Sequence, residues 1–367
     1  MSVQPQRLTA QKIPTKFVLL AMLFPLFMAF AYPGSYVSAF HNPHPRDMKI
    51  EVIGTSQQAS QISQEITSQA DDATDVKTVP DVQTAKDDVT NLNTRAAYDP
   101  SNGNVYVASA GGRQATQAAE GVFSQVAQQS QTNLKVQDLR APTENDSTGT
   151  SFLYLIIGAT IAGYMTASMI SAFGARLRLR TKLSVHAVMA IMAGVIETAI
   201  SFEIFGSFDG HIMPVALIVA GTFFTASIVQ LGFVELLGPA AALIGLVIFV
   251  ILGIPATGVA VSFDMMPGFF RIMHQLLPTG ASSELMRRCL YFDGHGIGPQ
   301  ILVLAVWLVV GAGLLWMASL RSQPASAIGS EEPRRPRRAP DEPLLTAYED
   351  DAVPPEGDAK YASQPTR

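Results

Sequence analysis

The chain has little cysteine and few charged side chains for its length. Its single cysteine, Cys289, excludes an intrachain disulfide framework and any cysteine-rich zinc or iron–sulfur site. Charged residues make up 15% of the 367 residues, against about 25% in soluble proteins, whereas hydrophobic residues make up 48%. Because no strongly basic domain is present, we expect no nucleic-acid partner.

Sequence motifs for catalysis are also missing. None of the lysines follows a glycine, which excludes a Walker-type phosphate-binding loop in this chain. The chain has no His-Glu-x-x-His sequence, and its spacing supports no Ser/His/Asp or Cys/His arrangement. His41 and His44 stand near Arg46 without further clustered ligands, so we expect no metal site there. The sequence therefore predicts a protein that is not an enzyme and has no cofactor.

Long apolar runs occupy most of the second half of the chain. About 20 apolar residues in a helix, at about 1.5 Å rise each, match the ~30 Å hydrocarbon core of a bilayer. Near the N-terminus, residues 17–40 predict a first transmembrane helix that tolerates Pro25 and Pro33. The alternative there is a signal peptide cleaved near Ala39. Five further spans are predicted at residues 152–173, 183–206, 212–237, 238–261 and 301–320.

Residues 41–150 differ from the rest of the chain in being polar. They contain eight basic and fourteen acidic residues. Short patterned stretches predict strands at 49–53, 95–98, 104–108 and 134–139, and helices at 57–69, 81–92 and 114–129. Because strands and helices alternate, we expect a small α/β domain.

Basic residues predict which ends of the helices face the cytoplasm. Four of them lie between 176 and 182, directly after the second span, and Arg321 follows the last span. Since basic residues in short loops favour the cytoplasm, we expect residues 1–16, the 174–182 loop and a disordered tail at 321–367 to be cytoplasmic. The predicted fold is a membrane all-α bundle of six transmembrane helices in the cytoplasmic membrane. A small extracellular α/β domain is inserted between the first and second spans.

A stripe of small residues in the second span predicts close helix packing. Ala159, Gly163, Ala167 and Ser171 recur every four residues, so they share one helix face and let another helix approach closely. We interpret the stripe as a packing seam. A homodimer across this face is the alternative.

Glu197 is the most informative polar residue within the predicted spans. An ionised side chain in hydrocarbon is costly unless it is paired or hydrated. Glu197 lies about 13 Å from the outer end of its helix, and Ser201 follows one turn later. The functional interpretation places both residues in a substrate pathway or proton relay. The structural alternative is a protonated or helix-packed glutamate.

Two short amphipathic segments lie at residues 262–298, within a five-helix transmembrane domain at 151–320. Phe269 and Leu276 share one face of the first segment, and Pro278 separates it from the second. Each segment is too short to span a bilayer. We therefore expect interfacial helices or an outer re-entrant hairpin, which is allowed only if protein covers its loop.

Several short motifs in this region resemble those of the type 2 ABC exporter permeases. They are Pro255 followed by Gly258, Met-Pro-Gly-Phe-Phe within 265–270, Leu-Leu-Pro-Thr-Gly-Ala at 276–281 and Arg-x-x-x-Tyr-Phe-x-Gly at 287–294. The chain resembles the YhgE/Pip-like (phage infection protein-like) relatives of these permeases more closely. Those proteins also place one span, a large extracellular domain and five further spans in this order.

The resemblance implies a permease-like subunit of an ABC-type exporter, which moves an amphiphilic or envelope-related compound. Its outward hairpin would gate the path, and a separate ATPase chain would supply the energy. On this basis the outer gate is assigned to Phe269, Phe270, Arg271, Pro278, Arg287 and Tyr291.

One feature departs from the exporter pattern. In the exporters the loop between the second and third spans includes a helix that docks on the ATPase, but here that loop contains only residues 174–182. Two other functions therefore stay open. One is a non-transporting cell-envelope receptor or secretion-associated scaffold, and the other is a proton-coupled exporter.

Overall fold

The protein is mostly helical and carries one small sheet. A computed structural model describes residues 15–70, 73–174 and 176–321. The predicted cytoplasmic N-terminus, apart from residues 15 and 16, and the predicted tail beyond residue 321 lie outside the described residues.

A long helix and a five-stranded sheet form the first half of the chain. The helix is α1 (Thr15–Phe40), which stays helical through Pro25 and Pro33. The strands are β1 (Met48–Ile53), β2 (Thr74–Val79), β3 (Ala96–Asp99), β4 (Asn104–Val107) and β5 (Lys135–Asp138). The helices between them are α2 (Gln57–Ala70), α3 (Val82–Thr90) and α4 (Arg113–Gln129).

The strands form one mixed sheet in the order β2-β1-β3-β4-β5. The sheet and its helices, residues 48–138, are called the sheet region below. β3 and β4 are antiparallel, and the other neighbouring strands are parallel. In the core, the ring of Phe123 stacks on Tyr98 with centroids 5.3 Å apart. Only β2 among these strands is not predicted by the sequence pattern, because Asp75, Lys77 and Thr78 interrupt its apolar residues.

Helices dominate the second half of the chain. They are α5 (Ser151–Phe173), α6 (Leu179–Ala199), α7 (Ile212–Leu237), α8 (Ala242–Gly245), α9 (Gly268–Leu276), α10 (Pro278–Tyr291) and α11 (Gly298–Arg321). Within the described residues, five helices are long and apolar enough to cross a membrane: α1, α5, α6 with its π-helical extension to Ile204, α7 and α11. These five helices indicate a multi-pass membrane protein.

The predicted fifth span, 238–261, does not form one long helix. Its apolar helical part runs from Pro239 to Leu252 and is shorter than the other five. Pro255 lacks the amide hydrogen that a continuing helix needs, and Gly258 turns the backbone into the left-handed region at φ +73°. The expectation of six long transmembrane helices is therefore replaced by five long helices and one short apolar segment.

The small-residue stripe of α5 packs against α7. An added Cβ at Gly163 would lie 2.4 Å from the carbonyl oxygen of Phe223, so only glycine permits this approach. Ala159 and Ala167 are fully buried in the same stripe, and Ser171 is half-buried. Because α7 of the same chain occupies this face, a homodimer would need a different surface.

We predict that Gly163→Ala destabilises the packing of α5 on α7. The added methyl group would meet backbone atoms, which cannot move aside as a flexible side chain can. Overpacking of this kind costs about 1–3 kcal/mol, so the midpoint of thermal unfolding in detergent should fall.

Gly221→Ala on α7 is the matched control, since nothing lies within 4 Å of a Cβ at that position. Its midpoint should stay unchanged or rise, because alanine has the higher helix propensity. Equal midpoints for the two variants would contradict the packing described here.

Candidate functional site

The helices α9 and α10 form a hairpin with a tight turn, called the hairpin below (residues 268–291). Pro278 is buried at the first position of α10, where its fixed φ suits a helix start. An added Cβ at Gly280 would lie 2.1 Å from the carbonyl oxygen of His274, so glycine lets the two helices approach at the turn. The motif Leu-Leu-Pro-Thr-Gly-Ala is thus the turn of this hairpin.

The turn of the hairpin lies between the long helices. Thr222 donates a hydrogen bond to the Ser282 hydroxyl at 2.8 Å, and the Trp307 indole nitrogen donates to the Leu276 carbonyl at 2.8 Å. By helical rise, Thr222 and Trp307 lie about 15 Å and 14 Å from the first residues of α7 and α11. The turn therefore reaches well into the helical bundle.

Both ends of the hairpin segment contact the sheet region and the chain that follows it. Before α9, Asp264 forms an ion pair with Arg95. After α10, Asp293 forms an ion pair with Arg140. The segment thus enters and leaves the bundle on the same side, which we call the sheet side.

A buried ion cluster lies on α10. Glu284 accepts hydrogen bonds from Arg287 Nη1 at 2.7 Å and from Arg288 Nε at 2.8 Å. Arg287 also donates to the Gly258 carbonyl at 2.7 Å and is only 3% exposed. Burial alone would raise the pKa of Glu284, but the positive charges of Arg287 and Arg288 outweigh it and hold that pKa at about 2. Glu284 therefore remains ionised at neutral pH.

Arg95 connects the sheet region to the hairpin. Its Nε pairs with Asp264, and its Nη1 donates to the Gly111 carbonyl at 2.9 Å. Close by, Arg46 donates from its backbone nitrogen to the Asp264 carbonyl at 2.8 Å and from its side chain to the Met265 carbonyl at 3.1 Å. These contacts fix the segment before α9 against the sheet region.

His274 is buried at the end of α9 and is hydrogen-bonded through Nδ1 to the Ala256 carbonyl at 2.8 Å. Burial lowers the pKa of His274, so the ring is neutral at physiological pH. An added Cβ at Gly258 would lie 2.9 Å from this ring, which explains why a glycine follows Pro255 at this distance.

A cleft of about 490 Å³ opens where the sheet region, the hairpin and α11 meet. Charged and amide side chains form most of its polar wall, and His274, Val303 and Phe263 contribute ring and apolar surface. Its charged and amide lining residues are Lys49, Asn93, Arg95, Asp264, Gln275, Glu284, Arg288 and Gln300. We take the cleft and the adjoining ion cluster as the candidate functional site.

The predicted gate residues have different surroundings. Four of them are buried: Phe270, Pro278, Arg287 and Tyr291. Phe269 on α9 is 54% exposed.

Two of these residues meet around one ring. The Tyr291 ring lies 6.5 Å from the ring of Phe152, and the Arg287 guanidinium lies 5.7 Å from the same ring. Burial, together with the nearby Asp146, raises the pKa of Tyr291, so its hydroxyl stays protonated.

Arg271 lies apart from that group. It pairs with Asp47 at 2.8 Å and stacks over the Phe263 ring at 5.1 Å. The structure thus brings Arg287 and Tyr291 together. Arg271 instead contacts Asp47 and Phe263, and Phe269 is exposed.

Glu197 lies on α6 and faces α5. An added Cβ at Gly158 would lie 2.9 Å from its Oε1, while its Oε2 has no hydrogen-bond partner among the described residues. Ser201 donates to the Glu197 carbonyl at 2.9 Å. Neither residue lines the cleft, so the structure does not join this pair to the hairpin site.

Five residues of the site are not predicted from the sequence: Glu284, Arg288, His274, Asp264 and Arg95. A local signal existed for the first two, because Glu284 precedes Arg287 by three residues and Arg288 by four, a spacing that pairs side chains on a helix. Arg95 and Asp264 are far apart in sequence, and only the fold brings them together.

Comparison with protein-family models, curated proteins and solved structures found no match for the chain. The class defined by its own fold and composition is a multi-pass membrane protein with a small mixed sheet.

We predict that Glu284→Gln destabilises the protein strongly at pH 7. Removing one partner of a buried ion pair typically costs about 3–5 kcal/mol, because Arg287 would stay buried without a counter-charge. The folded-state pKa of Glu284 lies below its ordinary value, so its stabilising effect is present above about pH 4.5 and is lost as the pH falls towards 2. The pH dependence of this stabilising effect is measured by thermal unfolding in detergent at several pH values.

The difference in unfolding midpoint between wild type and Glu284→Gln should be large at pH 7 and should shrink below pH 4.5. Glu144→Gln is the control, because Glu144 is exposed and outside the cluster. A Glu284→Gln protein with the wild-type midpoint at pH 7 would show that the cluster does not stabilise the fold.

Proposed function

We propose that the chain is a permease-like subunit of an ABC-type exporter, similar to the YhgE/Pip-like proteins. In this proposal it moves an amphiphilic or envelope-related compound across the cytoplasmic membrane, and a separate ATPase chain supplies the energy. The observation that supports it best is the hairpin, whose charged side borders an open cleft while its turn lies between the long helices.

The hairpin offers both chemical surfaces that an amphiphilic compound needs. Arg288 and Glu284 of α10 line the cleft. On α9, Phe269, Ile272 and Leu276 are each more than half exposed on one apolar face. A molecule with a polar head and an apolar tail can contact both helices at once.

The proposed topology has six spans, with the short apolar segment from Pro239 to Leu252 as the fifth. The sheet region is extracellular in this proposal, and both termini are cytoplasmic. The positions of Arg178, Arg180 and Arg321 support it, because all three lie at helix ends remote from the sheet side.

Two other functions are each favoured by one feature. The connection between α5 and α6 contains only residues 174–178, which offers little surface for an ATPase and favours a receptor or scaffold. The unpartnered Oε2 of Glu197 favours a proton-coupled exporter, since a carboxyl group within a membrane helix is suited to carry a proton.

If Glu197 serves transport, Glu197→Gln should abolish export of a fluorescent amphiphile from cells without lowering the amount of protein in the membrane. The amide cannot take up a charge, although it keeps the shape of the side chain. Glu203→Gln is the matched control, because Glu203 lies on the same helix but is exposed. Unchanged efflux by Glu197→Gln would remove this residue from the pathway.

Dissipating the proton gradient while ATP is preserved distinguishes the energy sources. Persisting efflux by the wild type supports the ATPase-driven exporter, and collapse supports the proton-coupled one. Absence of wild-type efflux of any amphiphile tested would contradict both and favour the scaffold.

A further inference from the structure

The cleft at the candidate site combines uncompensated positive charge with an apolar border. Its volume of about 490 Å³ lies within the range of about 300–1,000 Å³ that is typical of small-ligand sites. One wall comes from the sheet region, and the others come from the hairpin and α11.

Positive charge exceeds negative charge around the cleft. Glu284 is shared by two arginines, so one of them has no carboxylate of its own. Lys49 is exposed and makes no ion pair within the described part of the chain. Two positive charges thus remain without a counter-ion. The charged groups are Lys49, Arg95, Arg287 and Arg288 against Asp264 and Glu284.

Hydrogen-bond donors also remain free at the cleft. Arg95 forms an ion pair through Nε with Asp264 and donates from Nη1 to the Gly111 carbonyl, whereas Arg288 donates from Nε to Glu284 and from Nη1 to the His295 carbonyl. Among the described residues, neither Nη2 atom has a hydrogen-bond partner. Two guanidinium groups and one ammonium group are the donor set that binds a phosphate group well.

The border of the cleft is apolar on two helices. On α9, the exposed side chain of Leu276 follows the lining residue Gln275 in sequence. On α11, the exposed side chains of Leu302 and Val306 flank the lining residue Val303. These exposed apolar side chains offer a surface that suits acyl chains.

We propose that the cleft binds the phosphate-bearing headgroup of an anionic lipid whose acyl chains lie against α9 and α11. Lys49, Arg95 and Arg288 donate to the phosphate oxygens. The inference rests on the proposed function in one respect, because a lipid bound here would be the exported compound. The binding itself requires no transport.

Trp307 provides a direct probe of bound acyl chains. It lies one helical turn after Val303, and the chain has only one other tryptophan, Trp316. The full-length protein with Trp316→Phe is placed in nanodiscs containing brominated phosphatidylglycerol or brominated phosphatidylcholine with the same acyl chains. Quenching of Trp307 is measured against the mole fraction of brominated lipid.

We expect phosphatidylglycerol to quench at a mole fraction at least about fivefold lower than phosphatidylcholine. Lys49→Gln should reduce this preference by about fivefold, the effect of one cation at a membrane surface. Lys49 is exposed and unpaired, so this variant tests the site without the folding defect expected of changes in the ion cluster. Lys135→Gln is the matched control, since Lys135 is an exposed strand lysine outside the cleft.

Equal quenching by the two lipids in the parent protein would overturn the inference, as would an equal effect of the two lysine variants. Loss of the preference for phosphatidylglycerol when glycerol phosphate is added at millimolar concentration would also overturn the inference. The site would then bind a small soluble anion and not a membrane lipid. A protein that prefers the anionic lipid but exports nothing contradicts the proposed function alone. A protein that exports without this lipid preference contradicts the present inference alone.

Discussion

Charges that lie out of water are costly unless they are paired or hydrogen-bonded, and this constraint governs the part of the molecule where the hairpin meets the sheet region. Three arginine side chains there, of Arg95, Arg287 and Arg288, are each less than 20% exposed. Asp264 and Glu284 supply the opposite charges. An isolated buried charge costs several kcal/mol, so the pairing of Arg95 with Asp264 stabilises the segment before α9 against the sheet region.

The same constraint connects structure to function. Each carboxylate at the cleft is already used by an arginine, so the remaining positive charge is left for a ligand. The helices that carry the cleft also expose apolar side chains, including Leu276 and Leu302. A site with these two properties suits the anionic lipid that we propose as its ligand.

Local sequence patterns predicted the long helices and most of the sheet, because apolar runs and turn residues act over short distances. The fifth span was overestimated in length: its apolar composition continues past Leu252, but Pro255 and Gly258 end the helix. β2 was not predicted because its polar residues carry no apolar alternation. The ion pair between Arg95 and Asp264 spans a long sequence separation, and no local pattern encodes such a contact.

The hairpin enters and leaves the bundle on one side, and this arrangement can be measured directly. Single cysteines introduced by Gly268→Cys, His295→Cys and Arg178→Cys, with Cys289→Ser in each protein, test it by reaction with a membrane-impermeant maleimide in oriented vesicles. Positions 268 and 295 should react from the same face, and position 178 should react from the opposite face. Reaction of positions 268 and 295 from opposite faces would show that the hairpin crosses the bundle instead of returning to the same side.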